Sequence, residues 1–313
     1  MVGAAEEYLG IEADWVAVDW GTSNLRAWGI GTKGEVLFSR SSTQGMGKLS
    51  PDAYPAALTD LLGDEVAVSG PPVDVLICGM AGARQGWIEA PYLDAPAELG
   101  GIAYAAVSPA MPASRLAPRI LPGVCQKLSG DEDVMRGEET QLLGLSALRP
   151  GFSGLVVMPG THAKWVTLHG SKIERFSTSM TGELFEVLRT HSVLRLSING
   201  ELDPAEREKG FDAGLSAGLE APHRLPSRLF KVRAGSLLSG RSAGWCAGYL
   251  SGLLIGTEIG GQRDWIGRGA IPLVGDAALG GLYARGFAKI GATTEIIDAS
   301  DATLAGLKAA RQG

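Results

Sequence analysis

The sequence predicts an α/β protein of two similar lobes with a cleft between them. Three observations carry this expectation. A strand-turn-strand-turn-strand block near the start recurs 139 positions later, with Gly21 and Thr22 falling on Gly160 and Thr161 and Gly31 on Gly170. Each copy then gives way to mixed helix and strand. The chain has 313 residues, about twice an ordinary domain of roughly 150.

The first copy opens with Trp15 to Trp20 (WVAVDW), a buried strand that ends in the polar turn Gly21-Thr22-Ser23-Asn24. Leu25 to Ile30 is the second strand, Gly31-Thr32-Lys33-Gly34 is turn chemistry, and Glu35 to Arg40 is the third. Pro51 to Leu62 reads as a helix, and Val73 to Gly79 (VDVLICG) as a buried strand ending in glycine. Thr140 to Leu148 continues a helix with a small-residue face of Thr140, Gly144 and Ala147, which Pro150-Gly151 stops. The boundary is expected there, giving lobes of 1–149 and 150–313. In the second lobe Leu155 to Ser177 repeats the meander, and Thr181 caps a helix through Arg189. Gly244 to Ile259 is a long apolar helix whose Gly248, Gly252 and Gly256, four apart, suit close helix packing. Ala270 to Val274 is a strand entering Gly275, Ala277 to Ile290 a helix, and Ile296 to Asp298 a short strand before a C-terminal helix.

Composition removes several classes of function. Glycine takes 45 positions, about double its usual share of roughly 7%. With no three-residue period, and set among apolar segments, these glycines exclude collagen and flexible linker and indicate tight turns and close backbone approaches. A net charge of −6 and a pI near 5.4 give no nucleic-acid footprint. Cys78, Cys125 and Cys246 match no ligand spacing, so neither a disulfide framework nor a zinc site is expected. The start, MVGAAEEYLG, carries acids where an export signal carries basic residues. Ser242 to Thr257 is uncharged for 16 residues, short of the roughly 20 that a membrane span needs. A cytoplasmic protein without membrane or nucleic-acid partners is expected.

Several familiar patterns fail on context. Gly29 to Gly34 fits G-x-G-x-x-G, but a dinucleotide fingerprint must open a helix and the following EVLFSR is strand-like. Gly214 to Gly218 and Gly240 to Gly244 both fit G-x-S-x-G, and neither follows a strand. No Walker sequence occurs, and His162, His169, His191 and His223 show no metal spacing.

The informative features are turns. Asp19 at a strand end, followed by Gly21, Thr22, Ser23 and Asn24, offers a carboxylate for hydrated Mg²⁺ and backbone N–H groups with hydroxyls for phosphate oxygens. Gly160, Thr161 and His162 form an equivalent second turn, with Lys164 two residues on. Val274-Gly275-Asp276-Ala277-Ala278-Leu279-Gly280-Gly281 is a strand-Gly-helix junction where a ring could approach the backbone. Phosphoryl transfer to a hydroxyl also needs a proton acceptor. The acid cluster Asp131-Glu132-Asp133, then Glu138-Glu139 entering a helix, supplies candidates. Glu138 and Glu139 point about 100° apart on a 3.6-residue helix, so at most one faces the cleft and the other caps or binds Arg136. The loop Gly79 to Trp87 carries Arg84, Gln85 and Trp87 at its tip, and a guanidinium there suits a carboxylate substrate.

In this order, the strand-end acid, the second Gly-Thr turn and the late Gly-rich junction resemble the phosphate-1, phosphate-2 and adenosine motifs of the sugar kinase, Hsp70 and actin superfamily. Longer stretches are more specific: VDWGTSNLRAW (Val18 to Trp28), GMAGARQGWIEAPYL (Gly79 to Leu93), DVMRGEETQLLG (Asp133 to Gly144), MPGTHAKWV (Met158 to Val166), MTGELF (Met180 to Phe185) and LSGLLIGTE (Leu250 to Glu258). Together they resemble the 2-dehydro-3-deoxygalactonokinase family over nearly the whole chain. Departures are small: Thr22 and Ser23 exchange the usual order of hydroxyls, and Ala83 stands where serine is common.

The resemblance implies two ribonuclease H-like, actin-type ATPase lobes and ATP- and Mg²⁺-dependent phosphorylation of the 6-hydroxyl of 2-dehydro-3-deoxy-D-galactonate. It places Mg²⁺ on Asp19, the β- and γ-phosphates on Gly21 to Asn24 and on Gly160 to His162 with Lys164, and adenine near Gly275 and Asp276. Glu139, or else Glu138 or Asp133, would take the hydroxyl proton. Arg84, Gln85, Trp87 and Arg136 would meet the sugar acid. Three alternatives stay open: a kinase for another sugar acid such as 2-dehydro-3-deoxygluconate, a non-kinase ATP-binding module of the same superfamily, and a dehydrogenase built on Gly29 to Gly34. A homo-oligomer is compatible with all of these.

Overall fold

The computed structural model describes residues 13–66, 70–112 and 114–313. The acidic start read as lacking an export signal lies outside the described residues. Two compact units emerge: Met1–Phe152 with His169–Glu174 and Ser300–Gly313, and Ser153–Leu168 with Arg175–Ala299.

The first unit begins with the expected meander, β1 (Trp15–Trp20), β2 (Leu25–Ile30) and β3 (Val36–Ser42). Then come α1 (Tyr54–Leu62), β4 (Val73–Gly79), β5 (Tyr92–Asp94), β6 (Ala97–Glu98), β7 (Leu116–Ile120), β8 (Gly123–Leu128), β9 (Asp131–Met135) and α2 (Glu138–Leu148). The main sheet has the order β3-β2-β1-β4-β7, with β1 antiparallel to β2 and parallel to β4, and β4 parallel to β7. Because β1 is central, its apolar run is buried on both faces: Val16, Ala17, Val18 and Trp20 are fully enclosed. Tyr54, Leu58 and Leu62 of α1 belong to the same core. β5, β8 and β9 form a separate small sheet.

The second unit repeats the plan. β10 (Ser153–Met158), β11 (Ala163–His169) and β12 (Lys172–Ser179) are followed by α3 (Thr181–His191), α4 (Arg195–Ile198), α5 (Pro204–Glu220), α6 (Leu225–Ser239) and α7 (Ala243–Gly261). β13 (Ile271–Gly275), α8 (Ala277–Lys289) and β14 (Thr294–Asp298) complete it. The sheet order is β14-β13-β10-β11-β12-β6, whose first five strands correspond in order to β7-β4-β1-β2-β3, with β10, β13 and β14 mutually parallel and β6 added antiparallel at the β12 edge. Both sheets therefore have the ribonuclease H-like order, and the 139-residue repeat marks equivalent positions in them.

Helices α5 and α7 pack backbone to backbone. A side-chain carbon on Gly248, Gly252 or Gly256 would stand 2.0, 2.1 or 2.4 Å from the carbonyl oxygens of Arg207, Phe211 and Leu215. The reciprocal stripe on α5, Gly210, Gly214 and Gly218, meets Trp245, Tyr249 and Leu253 in the same way. The G-x-S-x-G match at Gly214 thus belongs to a packing stripe within α5. Gly29 to Gly34 spans the end of β2 and the β2–β3 turn, with no helix after it. Among the described residues no helix is long and apolar enough to cross a membrane.

Several elements escaped the sequence patterns. Asp131–Asp133 lie on β9, a strand the sequence patterns did not assign, just before α2. Thr181 is the first residue of α3 and not its cap. The final helix, α9 (Ala299–Gln312), falls almost wholly in the first unit, whereas a single boundary was expected at Pro150-Gly151. The cause is a second backbone contact: a side-chain carbon on Gly144 of α2 would lie 1.8 Å from the Ala302 carbonyl oxygen, and one on Gly306 would lie 1.8 Å from that of Thr140.

Candidate active site

In the first unit the ends of β1 and β4 meet the start of α2. Asp19 pairs in register with Arg26 on β2 and with Cys78 on β4. Arg26 Nη2 donates to Asp19 Oδ2 at 2.8 Å, and its Nη1 contacts the Ser300 hydroxyl. Burial raises the Asp19 carboxyl above its usual range, and the Arg26 charge and hydrogen bond oppose that rise. Gly79 has φ +88°, and a side-chain carbon there would press on the Trp20 carbonyl at 2.7 Å. Gly137 (φ +107°) passes so close that its missing carbon would lie 3.3 Å from Gly79 Cα.

Gly137 provides no side-chain cap, so the acids that follow it do the capping. Glu139 Oε2 accepts from the Gly137 amide at 2.7 Å, its Oε1 accepts from the Thr140 hydroxyl at 3.0 Å, and Glu138 Oε2 accepts from the Arg136 amide at 3.0 Å. Glu139 is fully buried. Burial, with the Glu138 charge adding to it, pushes Glu139 up to about 7 against the pull of these donors. The Cys78 thiol is pushed well above its usual range by burial and by the charges of Asp19 and Glu139, so both acids act on one spot. Asp133 is elsewhere: it lines a shallow groove with Tyr92, Cys125, Gln126, Lys127, Glu132 and Val134.

The turn Gly21 to Asn24 closes through a Gly21 N–H to Asn24 carbonyl bond of 2.8 Å, and Thr22, Ser23 and Asn24 are exposed on it. The loop after β4 is tied internally, Trp87 and Ala90 amides donating to the Ala81 and Gly82 carbonyls at 2.8 and 3.0 Å. Arg84 and Gln85 are exposed at its tip. Trp87 is half-buried, stacked on Tyr54 (5.9 Å) and edge-on to Trp20 (6.1 Å). Arg136 lies beneath, its Nη2 donating to the Ala90 carbonyl at 2.8 Å and its guanidinium 4.3 Å over the Tyr92 ring. Trp87 and Arg136 thus anchor the loop from below, while Arg84 and Gln85 present outward.

In the second unit, Thr161 and His162 are exposed on their turn, and His162 Nε2 meets Glu183 Oε2 at 2.5 Å. Lys164 is buried within β11. The start of α3 lies against this turn: a carbon on Gly182 would stand 2.5 Å from the Gly160 carbonyl, and the Glu183 amide donates to Thr161 at 3.0 Å. Gly275 faces Pro159, 3.2 Å from where its side chain would begin, and Asp276 caps α8 by accepting from the Leu279 amide at 3.0 Å. The apolar surface of this junction comes one turn later, from Ala278, Leu279 and Leu282. These residues line a groove of about 420 Å³ with Arg207, Phe211 and Ser251. A second cavity of about 160 Å³ shares Arg207, Ser251, Leu279 and Leu282 with it and reaches Gly160, Thr181, Gly182 and Tyr283.

The Val274–Gly281 junction pointed to one wall of this groove, Ala278 and Leu279, whereas sequence patterns missed the facing wall, Arg207 and Phe211 of α5. They also missed Arg26, although a four-residue turn between equal strands sets it opposite Asp19. Glu258, the lone charge of α7, was another available signal.

The 2-keto-3-deoxy-galactonokinase family model matches residues 19–310. A Rhizobium meliloti protein named Probable 2-dehydro-3-deoxygalactonokinase DgoK1 is 44% identical, covering 95% of this chain and 96% of the relative. The Escherichia coli 2-dehydro-3-deoxygalactonokinase is 36% identical, covering 95% and 97%. A crystal structure from Sinorhizobium meliloti, assigned as a 2-dehydro-3-deoxygalactonokinase protein, superposes with a TM-score of 0.88 at 42% identity, covering 95% of this chain and 98% of that one. With matched motifs, matched fold and near-complete coverage, the chain belongs to the 2-keto-3-deoxy-galactonokinase family.

Proposed function

We propose that this protein transfers the γ-phosphoryl group of ATP to the 6-hydroxyl of 2-dehydro-3-deoxy-D-galactonate, releasing ADP. Family membership supports the substrate and the reaction. The observation that carries the chemistry is Glu139, a buried acid at the β1–β4–α2 junction whose carboxyl sits near 7. A carboxylate of that basicity accepts the hydroxyl proton as the oxygen bonds to phosphorus. Arg84, exposed at its loop tip, engages the substrate carboxylate, with Gln85 beside it and Trp87 and Arg136 holding the loop in shape.

The second-unit groove takes the nucleotide. Its apolar wall of Leu279 and Leu282 suits a base, and the adjoining cavity that shares those leucines reaches Gly160. Thr22, Ser23 and Asn24, exposed on the turn that Gly21 closes, and the turn Gly160 to His162 bind the β- and γ-phosphates, with Lys164 behind the second turn. Asp19 fits a hydrated Mg²⁺: Arg26 occupies Oδ2, while among the described residues Oδ1 has only a long thiol contact of 4.0 Å. Mg²⁺ commonly takes one or two carboxylates plus phosphates and water. Bound there, it would neutralise phosphate charge.

A second assignment of the base has one observation behind it: Glu138 is partly exposed, whereas Glu139 is enclosed. Glu139→Gln and Glu138→Gln separate the two, since loss of turnover follows the residue that takes the proton. An ADP-release assay across sugar acids, with 2-dehydro-3-deoxygluconate as the epimeric control, tests the whole assignment. Stimulation by neither sugar acid would overturn it, and preference for the gluconate would move it to the epimer.

A further inference from the structure

Helix α7 carries one charge, Glu258, and it is buried. Three donors from three other elements converge on its carboxylate. Trp165 Nε1 of β11 donates to Oε1 at 2.6 Å, and the Tyr283 hydroxyl of α8 donates to Oε2 at 2.6 Å. The Thr181 hydroxyl, from the first residue of α3, also donates to Oε2. Burial raises the Glu258 carboxyl, and the three donors oppose the rise.

Thr181 and Tyr283 both line the 160 Å³ cavity that ends at Gly160, so the carboxylate lies directly behind its wall. Gly182, next to Thr181, is packed on the Gly160 carbonyl. Whatever fixes Thr181 therefore also fixes the approach of α3 to the turn. We propose that Glu258 is a positioning residue for the nucleotide, tying the start of α3 to α8 and so setting the cavity beside the Gly160–His162 turn. This rests on the assignment of that groove to the nucleotide.

The chemistry selects a carboxylate. An ionised carboxylate is acceptor-only and can take several donors at once. Glutamine keeps the shape but loses the charge: with its carbonyl toward the indole N–H, its NH₂ faces the Thr181 and Tyr283 hydroxyls, which must turn from donating to accepting, so charge-assisted bonds become neutral ones. A packing role alone would lower stability equally whichever donor is removed. A positioning role makes nucleotide binding depend on the two donors in the cavity wall and not on Trp165, which lies outside it.

Calorimetric binding of ATP and of ADP to the full chain, without sugar acid, tests this beside thermal unfolding. Glu258→Gln is expected to weaken both nucleotides about tenfold, and Tyr283→Phe, which keeps the ring and loses the hydroxyl's bonds to Glu258 and Thr181, about threefold. Trp165→Phe is expected to lower the unfolding temperature while leaving affinity within about twofold. Wild-type affinity in folded Glu258→Gln and Tyr283→Phe overturns the proposal, as does equal weakening by Trp165→Phe. Tyr283→Phe alone decides the matter if Glu258→Gln does not fold. Wild-type protein that binds neither nucleotide overturns the groove assignment itself, a result distinct from these.

Discussion

Asp19 and Arg26 face each other directly across the first hairpin, with Arg26 Nη2 donating to Asp19 Oδ2 at 2.8 Å. This pair decides whether the strand-end acid can serve a cation. Burial favours the neutral carboxyl, and the guanidinium favours the ionised one. Ser300, at the start of the C-terminal helix, holds the other arm of the guanidinium, so the last helix supports the first strand.

Removing that charge by Arg26→Gln is expected to raise the Asp19 carboxyl further. The ionised form is the one that binds a cation, so activity is lost from the acid side first. The acid limb of the kcat/KM profile should move up by about one pH unit, from loss of an adjacent opposite charge. An acid limb that stays in place would show that Asp19 does not govern it.

Glu139 gives a stability prediction with a definite sign. Its carboxyl sits at about 7 in the folded protein against 4.5 when unperturbed. Between those values the folded state holds a proton that the unfolded state has released, so stability falls as pH rises from about 4.5 to about 7 and levels off above. The linked loss is about 3 kcal/mol over that window. Glu139→Gln should flatten this part of the stability curve. Denaturant unfolding at pH 5 and pH 8 measures it, and an equal slope in both proteins would refute it.

The meanders were legible because their strands are short, apolar and separated by Gly-hydroxyl turns, while Arg26 was missed although the hairpin symmetry around residues 21–24 sets it opposite Asp19. The helical half was less so. Pro204–Glu220 is polar on one side and glycine-striped on the other, so α5 shows little apolar periodicity even though Gly210, Gly214 and Gly218 are its contact face. Helix α9 looks like an ordinary terminal helix of the second half. Its return to the first unit shows in the mutual approach of Gly144 and Gly306 and in the Arg26–Ser300 contact, and sequence spacing cannot pair residues so far apart. In the site, type and position of the acids were readable at Asp19 and Glu139. The roles of Trp87 and Arg136 as loop anchors depended on packing against Tyr54 and Tyr92.

The substrate loop separates into tip and root. Arg84→Ala removes an exposed guanidinium, so KM for the sugar acid should rise at least about tenfold with unfolding temperature unchanged, as loss of a charged hydrogen bond implies. Trp87→Ala breaks the stack on Tyr54 and Trp20 and should cost about 3 kcal/mol of stability as well as raising that KM. Steady-state kinetics beside thermal unfolding distinguishes them. Equal stability losses in both variants would contradict the division.

The α2–α9 contact predicts which glycines are structural. Gly144→Ala or Gly306→Ala would set a methyl carbon 1.8 Å from a carbonyl oxygen of the facing helix, and backbone cannot yield as a flexible side chain does. Each should destabilise by about 2–4 kcal/mol, in the range of overpacked sites. Gly261→Ala is the control: it lies at the exposed end of α7 with open space where the methyl would go, so helix propensity should leave stability unchanged or raise it by up to about 1 kcal/mol. Because α9 also brings Ser300 to Arg26, loosening the α2–α9 contact should reach Asp19 too. Gly306→Ala should therefore move the acid limb of the kcat/KM profile in the same direction as Arg26→Gln, whereas Gly261→Ala should not. A destabilised Gly306→Ala with an unmoved acid limb would uncouple the helix from the strand-end acid.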